Sequence, residues 1–226
     1  MNNSTEGSPL FVSKSLTPEG VAANVAADIP PGSYVNLGIG QPTLVAEHLD
    51  TDADIILHTE NGMLGMGSLA EDCAQDPDLV NAGKQYVTET PGCSYFHHAD
   101  SFAMIRGGHI DYCILGAFQV SVSGDLANWS TGKPDAIPAV GGAMDLAVGA
   151  RNVFVMMQLF SRDGTPKLVP DCTYPLTARA CVSRIYTDYA TFDLNRNRVI
   201  VRNIYGIAFE ELRDRLGIEL EMMDAR

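Results

Sequence analysis

Short apolar runs alternate along this chain with stretches whose apolar residues recur at helical spacing. Residues 1–16 are polar and small apart from Leu10-Phe11-Val12, and read as a flexible arm. Thr17 then stands as an N-cap before Pro18, with Val21, Val25 and Ile29 on one helical face and Pro30-Pro31-Gly32 as the stop. Apolar, β-prone runs predict strands at 34–37, 55–59, 85–89, 112–115, 117–122 and 153–157. Between them the spacing predicts a helix from near Thr43, one over 100–106 closed by Gly107-Gly108, one after Gly141-Gly142, and one around 173–183. Segments 191–194 and 199–204, joined by Asn195-Arg196-Asn197, read as an antiparallel hairpin, followed by a helix over 209–216 that Gly217 stops. Such alternation predicts an α/β fold: a mostly parallel sheet covered by helices on both faces, as one domain over 17–222.

Composition narrows the class. The 226 residues can bury an ample core, and 46% hydrophobic with 19% charged is ordinary for a globular protein. A formal net charge of −13 speaks against nucleic acid or anionic membrane as a partner, since both require basic surfaces. Cys73, Cys93, Cys113, Cys172 and Cys181 are odd in number and form no Cys-x-x-Cys pair, which points to reduced thiols. The chain begins without a basic start and apolar signal core, and no apolar run is long enough to span a bilayer, so a cytoplasmic location is expected.

The candidate chemistry centres on residues 57–67, Leu-His-Thr-Glu-Asn-Gly-Met-Leu-Gly-Met-Gly. Glu60 stands where a strand gives way to Gly62, Gly65 and Gly67, which are expected to forbid regular continuation. Met63, Leu64 and Met66 beside it imply a partly dry site, and a carboxylate held ionised in such a site is a stronger nucleophile. The plain alternative is a turn glutamate that caps a helix start. Gly38-Ile39-Gly40-Gln41-Pro42, between strand and helix, either offers backbone N–H groups to a developing oxyanion or forms a tight turn. Val140-Gly141-Gly142-Ala143 repeats that design at another helix start. The first of these lacks the third glycine and following acid of a dinucleotide site. His58, two residues from Glu60, shares its strand face and reads as structural. His97-His98 and His109 lack a third ligand at sensible spacing, so no metal is expected. Neither a Gly-x-Ser-x-Gly elbow nor a Walker lysine loop occurs.

Glu60-Asn61-Gly62 with its Gly-x-Gly tail resembles the active-site segment of the B subunit of class I CoA-transferases. The likeness extends through Asn36-Leu37-Gly38-Ile39-Gly40-Gln41-Pro42-Thr43, Asn81-Ala82-Gly83-Lys84 and the block 101–109. It continues through Gly124-Asp125-Leu126-Ala127-Asn128-Trp129, Gly141-Gly142-Ala143-Met144-Asp145-Leu146 and Tyr174-Pro175-Leu176-Thr177, in the family's order over roughly residues 17–193. Thr59 stands where the family usually has Ser, Ser68 where a proline commonly falls, and Gln158-Leu159 replaces an acidic–histidine pair. The resemblance implies that Glu60 attacks an acyl-CoA and becomes loaded with CoA. It further implies that the Gly142 N–H faces it, that Asn36 lends an amide to the substrate carboxyl, and that Lys84 lies near the site. Coenzyme A is then substrate and covalent intermediate, with no resident cofactor, and a CoA-transferase A subunit completes a hetero-oligomer.

Segments 95–100, 116–122 and 137–142 resemble most those B subunits that move CoA from succinyl-CoA to 3-oxoadipate in aromatic-compound degradation. Those that use acetoacetate are the alternative, as is an acyl-CoA hydrolase that admits water to the same glutamate. A non-catalytic relative on the same fold, shared with sugar-phosphate isomerases, is the reading from outside enzymology. A second carboxylate on the acid demands a cation, and Lys84 and Arg106 are the candidates nearest the motif in sequence.

Overall fold

The structure, a computed structural model, describes residues 14–81, 83–132 and 140–223. The expected arm therefore lies outside the described residues except for its last three, where the Leu16 N–H donates to the Asp188 carbonyl at 2.7 Å. Segment 137–139 lies outside them as well.

The chain opens with α1 (Pro18–Ala27), whose Thr17 side chain accepts from the Gly20 N–H at 3.2 Å. β1 (Tyr34–Leu37) leads to a 3₁₀ segment, Gln41–His48, where an α-helix was expected. β2 (Ile56–Thr59), β3 (Met63–Leu69) and β4 (Val87–Tyr95) follow, then α2 (His98–Arg106), β5 (Tyr112–Leu115), β6 (Gln119–Ser121) and β7 (Leu126–Ala127). Next come α3 (Ala143–Gly149), β8 (Asn152–Met156), β9 (Leu168–Val169) and β10 (Val182–Tyr186). β11 (Ala190–Asn195), β12 (Arg198–Ile204), α4 (Phe209–Leu216) and β13 (Glu221–Met222) close the chain.

Ten strands form one sheet in the order β13-β12-β11-β10-β8-β5-β1-β2-β3-β4, and β7-β6-β9 form a small second one. The centre, β10-β8-β5-β1-β2, is parallel, and antiparallel strands flank it on both sides. Alternate residues of the central strands face opposite ways. Cys113, Leu115, Val153 and Val155 pack with Ile105 of α2, Leu146 of α3 and Leu212 of α4. Ile114, Phe154 and Met156 pack instead with Val21, Ala22 and Val25 of α1. The sheet is thus buried on both faces, as the near-continuous apolar runs require.

Three expectations are corrected. Glycines do not end regular structure after Glu60: β3 forms and pairs with both β2 and β4, although its register with β4 shifts twice. Its glycines serve close approach instead, since a Cβ on Gly65 or Gly67 would collide with Thr90 or Thr88. The run 85–89 becomes the longer β4, at the sheet's margin, where Pro91 is tolerated because a ladder donor is needed on one side only. No helix forms over 173–183. The N–H groups of Thr173 and Tyr174 donate to the Gln119 side chain, Thr177 and Ala178 donate to Leu126, and Val182 opens β10. Pro175 lacks a donor of its own, and fixed partners from β6 and β7 replace the helical ladder. No helix among the described residues is long and apolar enough to cross a membrane.

Candidate active site

Four parallel strands end at one place. Gly38 follows β1, Glu60 follows β2, Gly116 to Phe118 follow β5, and Met157-Gln158 follow β8; all line a cavity of about 520 Å³. Ligands of open α/β sheets collect at such carboxyl ends, because loops there diverge and leave backbone groups unpaired. Gly141, Gly142 and Ala143 at the start of α3 form the opposite wall.

Glu60 is the first residue of the three-residue turn that joins β2 to β3. The turn is held at both ends: Gly62 N–H donates to Thr59 O at 3.2 Å, and Phe96 N–H donates to Gly62 O at 2.9 Å. Gly62 has φ +112 and sits under the Phe96 carbonyl, so a side chain there is excluded on both counts. The Glu60 carboxyl is turned inward. Its Oε2 is buried and accepts no hydrogen bond, and burial raises its pKa above the 4.5 of an ordinary glutamate, with His98 opposing and Asp145 adding to the shift. A Cβ on Gly142 would fall 2.9 Å from the carboxyl carbon and nearer still to Oε2, so the absent side chain of Gly142 makes the space that Glu60 fills.

Beneath the turn lies a buried polar chain. Asn36 Nδ2 is 3.1 Å from both the His58 carbonyl oxygen and His58 Nδ1. A carbonyl only accepts, so the Asn36 atom is the amide nitrogen and Nδ1 is an acceptor, which leaves the proton on Nε2. Nε2–H then donates to Ser101 Oγ at 3.0 Å, and Ser101 donates to Thr59 O at 3.0 Å. One chain of bonds therefore runs from β1 through β2 and α2 to the peptide that precedes Glu60. His58 is 2% exposed, and burial pushes its pKa down to about 4.

That shift fixes a sign. The unfolded chain takes up a proton at His58 near pH 6.5, whereas the folded one withholds it until about pH 4. Stability is therefore lost as pH falls through this window. Between pH 7 and pH 5 the urea-unfolding free energy is expected to drop by on the order of 2 kcal/mol more in the wild type than in His58→Gln. Equal drops in the two proteins would show that His58 is not the group responsible.

The other residues singled out from sequence are placed as follows. Gly38 lines the cavity with Glu60 and Gly142, whereas Gly40, at φ +89, only turns the chain behind Ile39. Both N–H bonds of Asn36 are spent on His58, so its amide braces the turn from below. Lys84 is exposed at φ +61 in the turn Asn81–Gln85, which docks on the Glu60 turn through Asn61 and the Val80 carbonyl, and it does not reach the cavity. Arg106 pairs with Asp145 at 2.6 Å and leans over Phe102. His98, set aside as a metal ligand, instead lies close enough to Glu60 to favour its ionised form. Lys167 in the cavity wall was missed altogether. Its signal, a lone lysine in Gly164-Thr165-Pro166-Lys167-Leu168, is indistinguishable by spacing from a surface loop.

Residues 19–204 match the coenzyme A transferase family, and the chain belongs to it. Over 212 residues it is 57% identical to the B subunit of the 3-oxoadipate CoA-transferase of Pseudomonas putida, covering 93% of this chain and 99% of that one. It is 42% identical to the B subunit of the succinyl-CoA:3-ketoacid coenzyme A transferase of Helicobacter pylori, over 90% of this chain and 98% of that one. Among solved structures, an acyl-CoA transferase of Escherichia coli O157:H7, in a thioester complex with CoA, superposes with a TM-score of 0.71 at 18% identity. That likeness is one of fold, over 94% of this chain but 42% of the other, so this chain spans less than half of that structure's length.

Proposed function

We propose that this chain is the nucleophile-bearing half of a two-subunit enzyme that moves CoA from succinyl-CoA to 3-oxoadipate. The carrying observation is Glu60: a half-buried carboxylate whose Oε2 is enclosed without a hydrogen-bond partner, at the carboxyl ends of parallel strands, facing a cavity large enough for an acyl group. A structural glutamate is hydrogen-bonded or solvated, and one left bare in a cavity wall is poised for attack.

In the first step a Glu60 oxygen attacks the thioester carbonyl. The C–S bond breaks, CoA leaves as thiolate, and an acyl–glutamyl anhydride remains. The thiolate then attacks the Glu60 carboxyl carbon, and the first acid departs as its carboxylate. The incoming acid's carboxylate attacks this glutamyl thioester and expels the thiolate, which takes the new acyl group from the second anhydride and frees Glu60. No proton is consumed, which suits a site whose nearby histidine His58 is buried and neutral. The Gly38 N–H is spent on the Ile114 carbonyl at 2.8 Å, so the N–H groups of Ile39 and Gly142, which line the cavity, are the candidates to stabilise the tetrahedral oxyanion, at a few kcal/mol per donor. The A subunit supplies the remainder of the CoA site, which fits the −13 charge of this chain.

The test is intact mass. After reconstitution with the A subunit, followed by incubation with succinyl-CoA, this chain is expected to gain the mass of CoA less one water, and borohydride is expected to remove the modification from Glu60. With 3-oxoadipate and acetoacetate offered separately, kcat/KM is expected to favour 3-oxoadipate, and the chain without the A subunit is expected to be inactive. Preference for acetoacetate would move the substrate to that of the second relative. Release of free thiol without any acceptor would mark a hydrolase. Absence of the adduct would end the nucleophile assignment.

A further inference from the structure

Only two charged side chains stand among the described residues that line the cavity: Glu60 and Lys167. They come from different parts of the fold. Glu60 ends β2, whereas Lys167 precedes β9 of the small sheet, with its N–H donating to Leu159 O and its carbonyl accepting from Val120 N–H, both at 2.9 Å. Those bonds use up its backbone, so what Lys167 offers the cavity is its side chain. The same cavity is lined by apolar residues, Leu115, Ala117, Leu146 and Met157 among them, and by the uncharged amides Gln41, Asn128 and Gln158.

The lysine is held at a cost. Burial lowers its pKa, and Asp188, on the far side of Leu159, offsets this only in part. Among the described residues its ammonium donates no hydrogen bond and forms no ion pair. Partly buried lysines ordinarily extend to water or find a carboxylate. Lys167 lines the cavity, whose other charged side chain is Glu60, so an anionic ligand group there completes what Asp188 offsets only in part.

We propose that Lys167 is a specificity-determining residue that binds the second carboxylate of the dicarboxylic acid whose first carboxyl is joined to Glu60. The inference rests on the transferase reading above and supplies the cation that Lys84, outside the cavity, and Arg106, paired with Asp145, do not. An acid with carboxylates at both ends places one end at Glu60 and the other at Lys167 within the one cavity. An acid without the second carboxylate leaves Lys167 as it is in the empty site. Discrimination comes from pairing a charge already buried.

The experiment uses the complex with the A subunit. It reads one half-reaction, the loading of Glu60 with CoA, from succinyl-CoA and from acetoacetyl-CoA. A second readout is inhibition of loading by adipate and by hexanoate, acids of equal length that differ in the second carboxylate. Lys167→Met is expected to raise KM for succinyl-CoA by about tenfold or more, to leave loading from acetoacetyl-CoA within about threefold, and to abolish the preference for adipate. Lys167→Arg is expected to keep that preference. Lys167→Gln, which retains length and polarity, is expected to lose it, and it carries the test should the methionine variant fail to assemble. Equal losses with both donors would overturn the proposal, because they would place Lys167 on the CoA portion that the donors share. An unchanged preference for adipate would overturn it too. Should the wild type fail to load from any acyl-CoA, it is the transferase reading that falls.

Discussion

Glu60→Gln is expected to lose CoA exchange by on the order of 10³-fold or more and, at the same time, to melt higher than the wild type. The first effect follows from the chemistry, since an amide oxygen does not form the anhydride. The second follows from burial. Glu60 is held with one oxygen bare of hydrogen bonds and with its pKa raised by burial, so its ionised form is one that the fold disfavours. The folded state retains its proton at Glu60 to higher pH than the unfolded state does. Stability therefore falls as pH rises from the ordinary glutamate range through the raised native value, and the glutamine variant lacks that slope. Removing a buried, unsatisfied charge is worth about 1 kcal/mol, or roughly 2–4 °C in melting temperature for a chain of this size. On the proposed mechanism, loading in the wild type is expected to rise over the same pH interval, because only a carboxylate attacks. Calorimetry and single-turnover loading check the two halves separately, and a lower melting temperature for Glu60→Gln would show that the carboxylate is satisfied after all.

Gly142→Ala is expected to cost loading about a hundredfold or more while the protein folds and assembles. Gly142 has φ −82, a conformation open to any residue, so the substitution carries no backbone penalty. The damage lies in space: the new methyl and the Glu60 carboxyl claim one volume, and the carboxyl is the flexible party. Gly141→Ala is the informative contrast. There φ is +52 and nothing lies within 4 Å of the added carbon, so the cost is one of stability, about 1 kcal/mol. Quenched-flow loading and thermal melts of both variants separate the two cases. A Gly142→Ala enzyme that loads at the wild-type rate would mean that Glu60 moves away from α3 before it reacts.

Much of the scaffold is legible in the residues because its signals are local. Thr17-Pro18 caps α1, Asn195-Arg196-Asn197 turns β11 into β12 with φ +49 and +68 at its last two residues, and Gly217 ends α4 at φ +65. Where partners come from afar, local reading fails. β3 looks like a glycine loop because the close approach of β4, which needs those glycines, is invisible within the segment. Residues 173–181 carry helical composition, yet the Gln119 side chain and Leu126 claim their backbone groups. The site divides in the same way. Glu60 and Gly142 lie in compact motifs, whereas the Asn36–His58–Ser101 chain and the meeting of Lys167 with the cavity are products of strand order. Proximity in sequence to Glu60 is thus a poor guide to the cations: Lys84 and Arg106 are nearer along the chain, and Lys167 shares the cavity.

Strand order also sets a timetable. β1 lies between β2 and β5, so its pairing with β2 is available early, while its other edge waits for residues 112–115 to be made. At ordinary translation speeds the interval between Leu37 and Tyr112 is roughly 4–15 s, far longer than the microseconds in which hairpins and helices form. Throughout it, Val35 and Leu37 belong to a half-built sheet with an unsatisfied margin. β5 in turn waits roughly 2–7 s for its own partner β8, which begins at Asn152. Nascent chains of this protein thus spend seconds as aggregation-prone intermediates, and slower growth or a holding chaperone acts on that interval rather than on the finished fold.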